Sequence, residues 1–434
     1  MLQAVQNAFR LPDLRRRILF TIAVLVIYRF LAHIPVPGVD VIKLRDIFAG
    51  SQFGTLFNML DLFSGGAMSQ YSILSFGVYP YITATIIMQL LLPIVPALEA
   101  LSKEGEQGRQ RINLYSYILT VPLAILQAYA QGVLFYNQGV FKSIQFGIGS
   151  DTLITIAIVL SMTAGTLLAV WLGELITESG IGNGVSIIIF GGIVARSPQN
   201  IRGVFANQNI GALFLFIIIT VITIAGIVLI QEGQRRIPVQ YAKRIRGNRM
   251  YGGQSTHIPL RVNSAGMIPL IFASSILLFP AVIAQFFLPA PGAQASIINN
   301  IAQTVYNAFN SSGPVYWITY FIFVVGFTYF YTAVTFQQQN LPENLQKFGG
   351  FIPGIRPGRP TQEYLNRVLN RITLVGALFL GVVAVLPFLI KPITGTTNLI
   401  FSSTGILIVV GVVLDTMRQL EAQLLMRHYE GFIK

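Results

Sequence analysis

Charge is scarce in this 434-residue chain: Asp, Glu, Lys and Arg together make up 10%, against roughly 25% in an average soluble domain. Between Arg261 and Glu343 there is none at all. So long a stretch without charge needs a non-aqueous surrounding, which points to lipid. Cysteine is absent, which excludes disulfides, thiolate metal sites and thiol catalysis. The three histidines, His33, His257 and His428, stand far apart without metal-ligand spacing. No Walker loop, nucleotide fingerprint or pair of catalytic carboxylates occurs, so neither an enzyme nor a cofactor or metal is expected. The apolar stretches also lack the mid-membrane ionisable side chain that ion-coupled carriers and proton pumps use. These absences point to a passive conduit.

What is present is apolar. Hydrophobic residues make up 53% of the chain and the mean hydropathy is +0.66. A helix needs about 20 mostly apolar residues to cross the hydrocarbon. Ten candidate spans follow, at 18–34, 73–96, 114–134, 152–172, 183–201, 211–231, 264–285, 315–336, 372–390 and 399–417. The fifth is the weakest, being short and rich in glycine. Of the 29 Lys and Arg, 22 fall on the side of the N-terminus, so the positive-inside rule puts both termini in the cytoplasm. The formal net charge is +13. In the segment after span six, Arg235, Arg236, Lys243, Arg244, Arg246, Arg249 and Arg261 face Glu232 alone, which suits a polyanion such as ribosomal RNA or an acidic protein face.

The second and seventh spans share a pattern that crossing a membrane does not require. Gly77, Pro80 and Ile82 repeat as Gly266, Pro269 and Ile271, both G-x-x-P-x-I, and each span has a second proline, Pro93 or Pro280. They are the second members of two sets of five spans, and five is odd, so the sets cross in opposite senses. Matched glycine and proline interruptions in inverted halves point to a pathway between them. Val78 and Ile82, like Val185 and Ile189, are four apart and share a helix face.

Several long motifs carry a family resemblance: FSGGAMSQYSILSFGVYPYITATIIMQLL, LSKEGEQGRQRIN, ITESGIGNGVSIIIFGGIVA, QRRIPVQYAKR and GGFIPGIRPG. The chain resembles the SecY family, the central subunits of bacterial protein-conducting channels, over essentially its whole length. The resemblance implies an all-α polytopic fold of ten transmembrane helices in two inverted halves, residues 1–195 and 212–434, closing like a clamshell about a hinge loop at 196–211. It implies a lateral gate between spans two and seven, and a pore ring of Val78, Ile82, Val185, Ile189, Ile271 and Ile408. Two of the six are valine where the family commonly has isoleucine. An aliphatic ring offers no fixed hydrogen-bond partner, so it yields around any passing side chain while disfavouring water and ions.

By the same resemblance a short plug helix covers about 57–69, with Phe63, Ser64, Gly65, Gly66 and Ala67 packed beneath the ring. Asp61, inside that segment, and Arg29 have no place in this scheme. Thr83, Gln127 and Asn263 correspond to a polar cluster at the gate. The loops 231–263 and 337–371 correspond to a docking surface for the ribosome and the motor ATPase SecA, with Arg235, Arg236, Lys243, Arg244, Arg246 and Arg356 as contacts. Gly354, Pro357 and Gly358 bracket Arg356 in what reads as a tight turn.

Further implied partners are the small subunits SecE and SecG, signal sequences, nascent polypeptides and the lipid bilayer. The implied location is the bacterial plasma (inner) membrane. The rival reading is a secondary solute transporter of the same inverted-repeat design, which requires a polar pocket at mid-depth.

Overall fold

The computed structural model describes residues 11–50, 61, 64–141, 146, 151–206, 210–241, 244–246, 249–251, 255–287, 297–309, 313–339, 341–347, 349–394 and 403–430. It is a helical protein. In order come α1 (Pro12–Leu31), α2 (Val41–Gly50), a 3-10 turn (Met68–Gln70), α3 (Tyr79–Leu91), α4 (Pro96–Lys103), α5 (Glu106–Asn137), α6 (Thr152–Ser179), α7 (Gly184–Ala206) and α8 (Ile210–Glu232). Four strands follow, β1 (Gln234–Tyr241), β2 (Arg244–Arg246), β3 (Arg249–Tyr251) and β4 (Ser255–Arg261). The chain then forms α9 (Ile268–Phe286), α10 (Ile297–Phe309), α11 (Pro314–Gln339), α12 (Leu341–Lys347), β5 (Gly350–Phe351), α13 (Arg359–Thr394) and α14 (Ser403–Glu430).

A helix lies on each of the ten apolar stretches, and proline sets where several begin. Pro12, Pro80 and Pro96 stand in the first turns of α1, α3 and α4, where a missing N–H costs nothing because those donors have no acceptor within the helix. Pro93 has the opposite effect: α3 stops at Leu91 and α4 leaves it at 99°. Among the described residues, four helices are long and apolar enough to cross a bilayer, and the bent α3–α4 pair makes five. The apolar windows of α7, α8 and α9 are shorter, at Gly184–Arg196, Ile217–Glu232 and Ile268–Leu277. Large side chains such as Leu19, Phe30, Leu160, Trp171, Phe214 and Val221 stand exposed, an area far beyond what water tolerates on a monomer.

α3, α5, α6 and α7 pack in sequence, as do α9, α11 and α13, while α14 lies against both α7 and α8. The two five-helix sets meet where α3 touches α9 and α7 touches α14. One large apolar cluster crosses that meeting line, from Val24 and Tyr28 on α1 to Leu407 and Ile408 on α14.

Two expectations are corrected here. The stretch 196–211 is not a loop: α7 continues through Pro198 to Ala206, leaving only 207–209, outside the described residues, before α8. Nor are the segments expected as cytoplasmic loops plain loops. β1 pairs antiparallel with β4, Gln234 opposite Arg261, and its far end pairs with β5, Tyr241 opposite Gly350. A single three-stranded sheet, β4-β1-β5, therefore ties segment 231–263 to segment 337–371. Alternation along β1 buries Ile237 and Val239 against Phe336, Leu345, Leu365 and Leu369 and turns Arg236 outward.

Candidate pore and plug

The two helices expected to form the gate, α3 and α9, start alike. Gly77 and Gly266 both adopt left-handed backbone, φ 50° and 64°. α3 and α9 begin two residues later with Pro80 and Pro269 in their first turns. No atom lies within 4 Å of where a Cβ of Gly266 would stand, so conformation rather than space requires glycine there. Both turns deliver the following residues to the interior: Val78, the N-cap of α3, is fully buried, and Met267 is 8% exposed.

Of the six aliphatic residues expected as a ring, Val78, Ile82, Ile189, Ile271 and Ile408 are buried members of the one large apolar cluster, and Val185 packs half-buried against that cluster. They come from α3, α7, α9 and α14, two helices from each half. Ile82 and Ile271, the matched last positions of the repeated pattern, both lie in this cluster. Between helices in lipid the hydrophobic effect is largely absent, so what such contacts contribute is close van der Waals packing.

Of the expected plug segment, residues 57–60, Leu62 and Phe63 lie outside the described residues. From Ser64 the chain makes a compact turn ending in the 3-10 turn, and Ala67 belongs to the same apolar cluster as the residues expected to form the ring. Gly65 and Gly66 have φ of 67° and 91°. A Cβ on Gly65 would stand 2.6 Å from the Cα of Gly192 on α7, so backbone meets backbone there. Tyr28 Oη donates to the Ser64 carbonyl (3.3 Å), and Arg29 Nη1 donates to the Gly65 carbonyl.

Asp61 takes its place in this turn. It is wholly buried, pairs through Oδ2 with the Arg196 guanidinium of α7, and accepts the Ser69 N–H (2.8 Å) and Ser64 Oγ (3.4 Å) at Oδ1. The expectation of an interior free of ionisable groups is thus corrected: a buried acid and two arginines sit beside the apolar cluster. Sequence spacing gave no sign of the pairing, because the partners belong to distant segments.

The three residues expected as a polar cluster make separate contacts. Thr83 Oγ1 donates to the Tyr79 carbonyl within its own helix, and Asn263 Nδ2 donates to the Gly266 carbonyl (3.1 Å). Gln127 Oε1 is buried without a hydrogen bond, as is Asn263 Oδ1. No hydrogen bond joins the three among the described residues. A contact that sequence reasoning missed is the stack of Tyr81 on α3 against Tyr117 on α5, with ring centroids 5.2 Å apart.

On the sheet side, Arg235 and Arg236 are exposed on β1. Lys243 lies outside the described residues, and Arg244 and Arg246 lie on β2, paired with β3. Arg356 is exposed in a turn whose flanking Gly354 and Gly358 have φ of 82° and 100°, and Thr361 Oγ1 donates to the Arg356 carbonyl (2.8 Å). Among the described residues no group of His, Asp and Glu is placed to hold a metal ion.

A family model described as SecY matches residues 72–417. Protein translocase subunit SecY of Thermus thermophilus is 44% identical over all of this chain and 98% of its own length, and that of Streptomyces galbus is 45% identical over the full length of both. Among solved structures, a protein-conducting channel aligns over 94% of this chain and 92% of its own at TM-score 0.54 and 20% identity. The channel of a canine ribosome–channel complex from the endoplasmic reticulum aligns with the same coverage at TM-score 0.55 and 19% identity. The repeated gate-helix start, the apolar convergence of four helices and the identity along the whole length agree, and the chain belongs to the SecY family of protein-conducting channel subunits.

Proposed function

We propose that this channel passes unfolded preproteins outward through the waist formed by Val78, Ile82, Val185, Ile189, Ile271 and Ile408, and releases apolar segments into lipid between α3 and α9. The observation that carries the reading is the convergence of those six aliphatic side chains from both halves in one buried cluster, with the turn around Ala67 seated against it. Aliphatic groups close by dewetting and make no demand on the cargo. Polar contacts between membrane helices average about 0.6 kcal/mol, so Thr83, Gln127 and Asn263 are minor contributors to closure beside the apolar contact. An apolar signal sequence opens the gate by competing for that apolar contact.

The halves 1–195 and 212–434 open about the short turn between α7 and α8. All ten helices on apolar stretches cross the bacterial inner membrane, with both termini cytoplasmic. The pore is passive rather than enzymatic. It is driven by a translating ribosome, as the ribosome-bound relative suggests, or by the SecA motor docked on the β4-β1-β5 sheet and the Arg356 turn. SecE and SecG complete the assembly. The solute-transporter alternative is not favoured, since the relatives reported are translocase subunits.

The test is site-specific photocrosslinking of a stalled preprotein. Probes at Ile82 and Ile271 should both give adducts, while a probe at Leu160, 56% exposed on α6, should give none. Adducts at Leu160 alone would overturn the assignment of the waist.

A further inference from the structure

We propose that Asp61 and Arg196, with Arg29 beside them, form an ionic latch that seats the plug and sets how strong a signal sequence must be to open the channel. The inference rests on the channel reading above and adds a named determinant of its opening threshold.

Every polar atom of the Asp61 side chain is engaged. Oδ2 faces the Arg196 guanidinium, and Oδ1 takes the Ser69 amide and the Ser64 hydroxyl. The Arg196 side chain is 23% exposed and also reaches Ser69 Oγ through Nη2 (3.5 Å). From the other side, Arg29 donates to the Gly65 carbonyl and lies near enough to Arg196 for the two cations to act on each other. Two guanidiniums, one on α1 and one on α7, therefore converge on a single turn. The only carboxylate within their reach among the described residues is supplied by the plug itself.

The physics suits a closure that must hold and still yield. A buried pair offsets the desolvation of its two charges only while they stay together, so its net contribution is modest, yet removing one partner leaves the other buried and unpaired. Contact of Ala67 with the apolar cluster is non-directional and would tolerate a plug seated out of register. The carboxylate, hydrogen-bonded at Oδ1 and ion-paired at Oδ2, fixes the register. When the plug leaves, both arginines and Asp61 gain water, so an opened channel meets no unpaired buried charge.

The absence of cysteine makes the test clean. Ala67→Cys places one thiol on the buried face of the plug, away from the latch groups, and its labelling by a water-soluble maleimide added outside reports unseating. The chain is assembled with its partner subunits in proteoliposomes carrying this reporter. Asp61→Asn and Arg196→Gln should each raise the labelling rate at least several-fold and admit preproteins with weakened signal sequences. The double variant should be no worse than the more affected single one. Asp61→Glu should stay nearer wild type.

Asp61→Asn is close to isosteric, so a general folding defect is not expected; translocation of a preprotein with an intact signal sequence in the same vesicles checks this. Wild-type labelling in Asp61→Asn and Arg196→Gln, or effects that simply add, would overturn the latch while leaving the channel reading intact. Failure of the unaltered chain to translocate any preprotein would overturn both.

Discussion

Gly77 and Gly266 occupy equivalent positions in the two halves and share one backbone conformation, with φ of 50° and 64°, each two residues ahead of a gate helix. The pairing turns a repeated sequence pattern into a repeated structural part: a left-handed turn, a proline-led helix and an isoleucine buried in the apolar cluster. In Gly266→Ala the side chain has room but the conformation costs about 1–2 kcal/mol. Thermal unfolding of the purified variant should show that loss, and Gly266→Asn should lose less because asparagine tolerates this region.

Ile271→Asn and Ile408→Asn put an amide into the apolar cluster, where it holds water at the waist. Ion conductance of the resting channel in a planar bilayer should rise several-fold in both. Resting conductance equal to wild type in both would remove them from the constriction.

Gly192→Ala should unseat the plug by a different route. The new methyl group would stand 2.5 Å from the Cα of Gly65, a contact that no side-chain rotation relieves. Resting conductance is expected to rise as for the waist variants, while labelling of Ala67→Cys should rise faster than in Ile408→Asn, where the plug contact itself is intact.

Ile237 holds the sheet to the ends of α11 and α13. Ile237→Ala should cost about 2–5 kcal/mol, concentrated in the sheet unit. Limited proteolysis of inverted membrane vesicles should then cut both 231–263 and 337–371 more readily, because β1 is paired with β4 and β5 together.

Arg356→Glu changes an exposed side chain whose carbonyl, not its guanidinium, is tied to Thr361. Folding should be untouched, with proteolysis as in wild type, while motor-driven export in inverted vesicles falls by at least several-fold. Export at the wild-type rate would remove Arg356 from the docking surface.

The helices and the matched starts of α3 and α9 can be read from the chain because hydropathy and helix initiation are local: Gly77 and Pro80 announce α3 whatever surrounds them. The sheet cannot. β5 is only Gly350–Phe351, and its strand character comes from Tyr241, far away in sequence. Thr83 and Asn263 have the chemistry to bond across to the other helix, but the Thr83 hydroxyl and the Asn263 Nδ2 each donate to a carbonyl on their own segment. Asp61 has no legible place for the opposite reason, since its meaning lies wholly in α1 and α7. A charge in an apolar chain signals a partner without naming it.

The meeting of Gly65 with Gly192 bears on how the proposed plug would reseat. Two bare backbones touch at that point, so no rotamers must interdigitate there, and the side chains that must pair again, Asp61, Arg29 and Arg196, are the channel's own. A seal of that kind keeps no memory of the cargo that displaced it. The rate of reclosure should therefore be the same after a bulky aromatic segment as after a small polar one, and the interval of leak after each polypeptide should be a property of the channel alone.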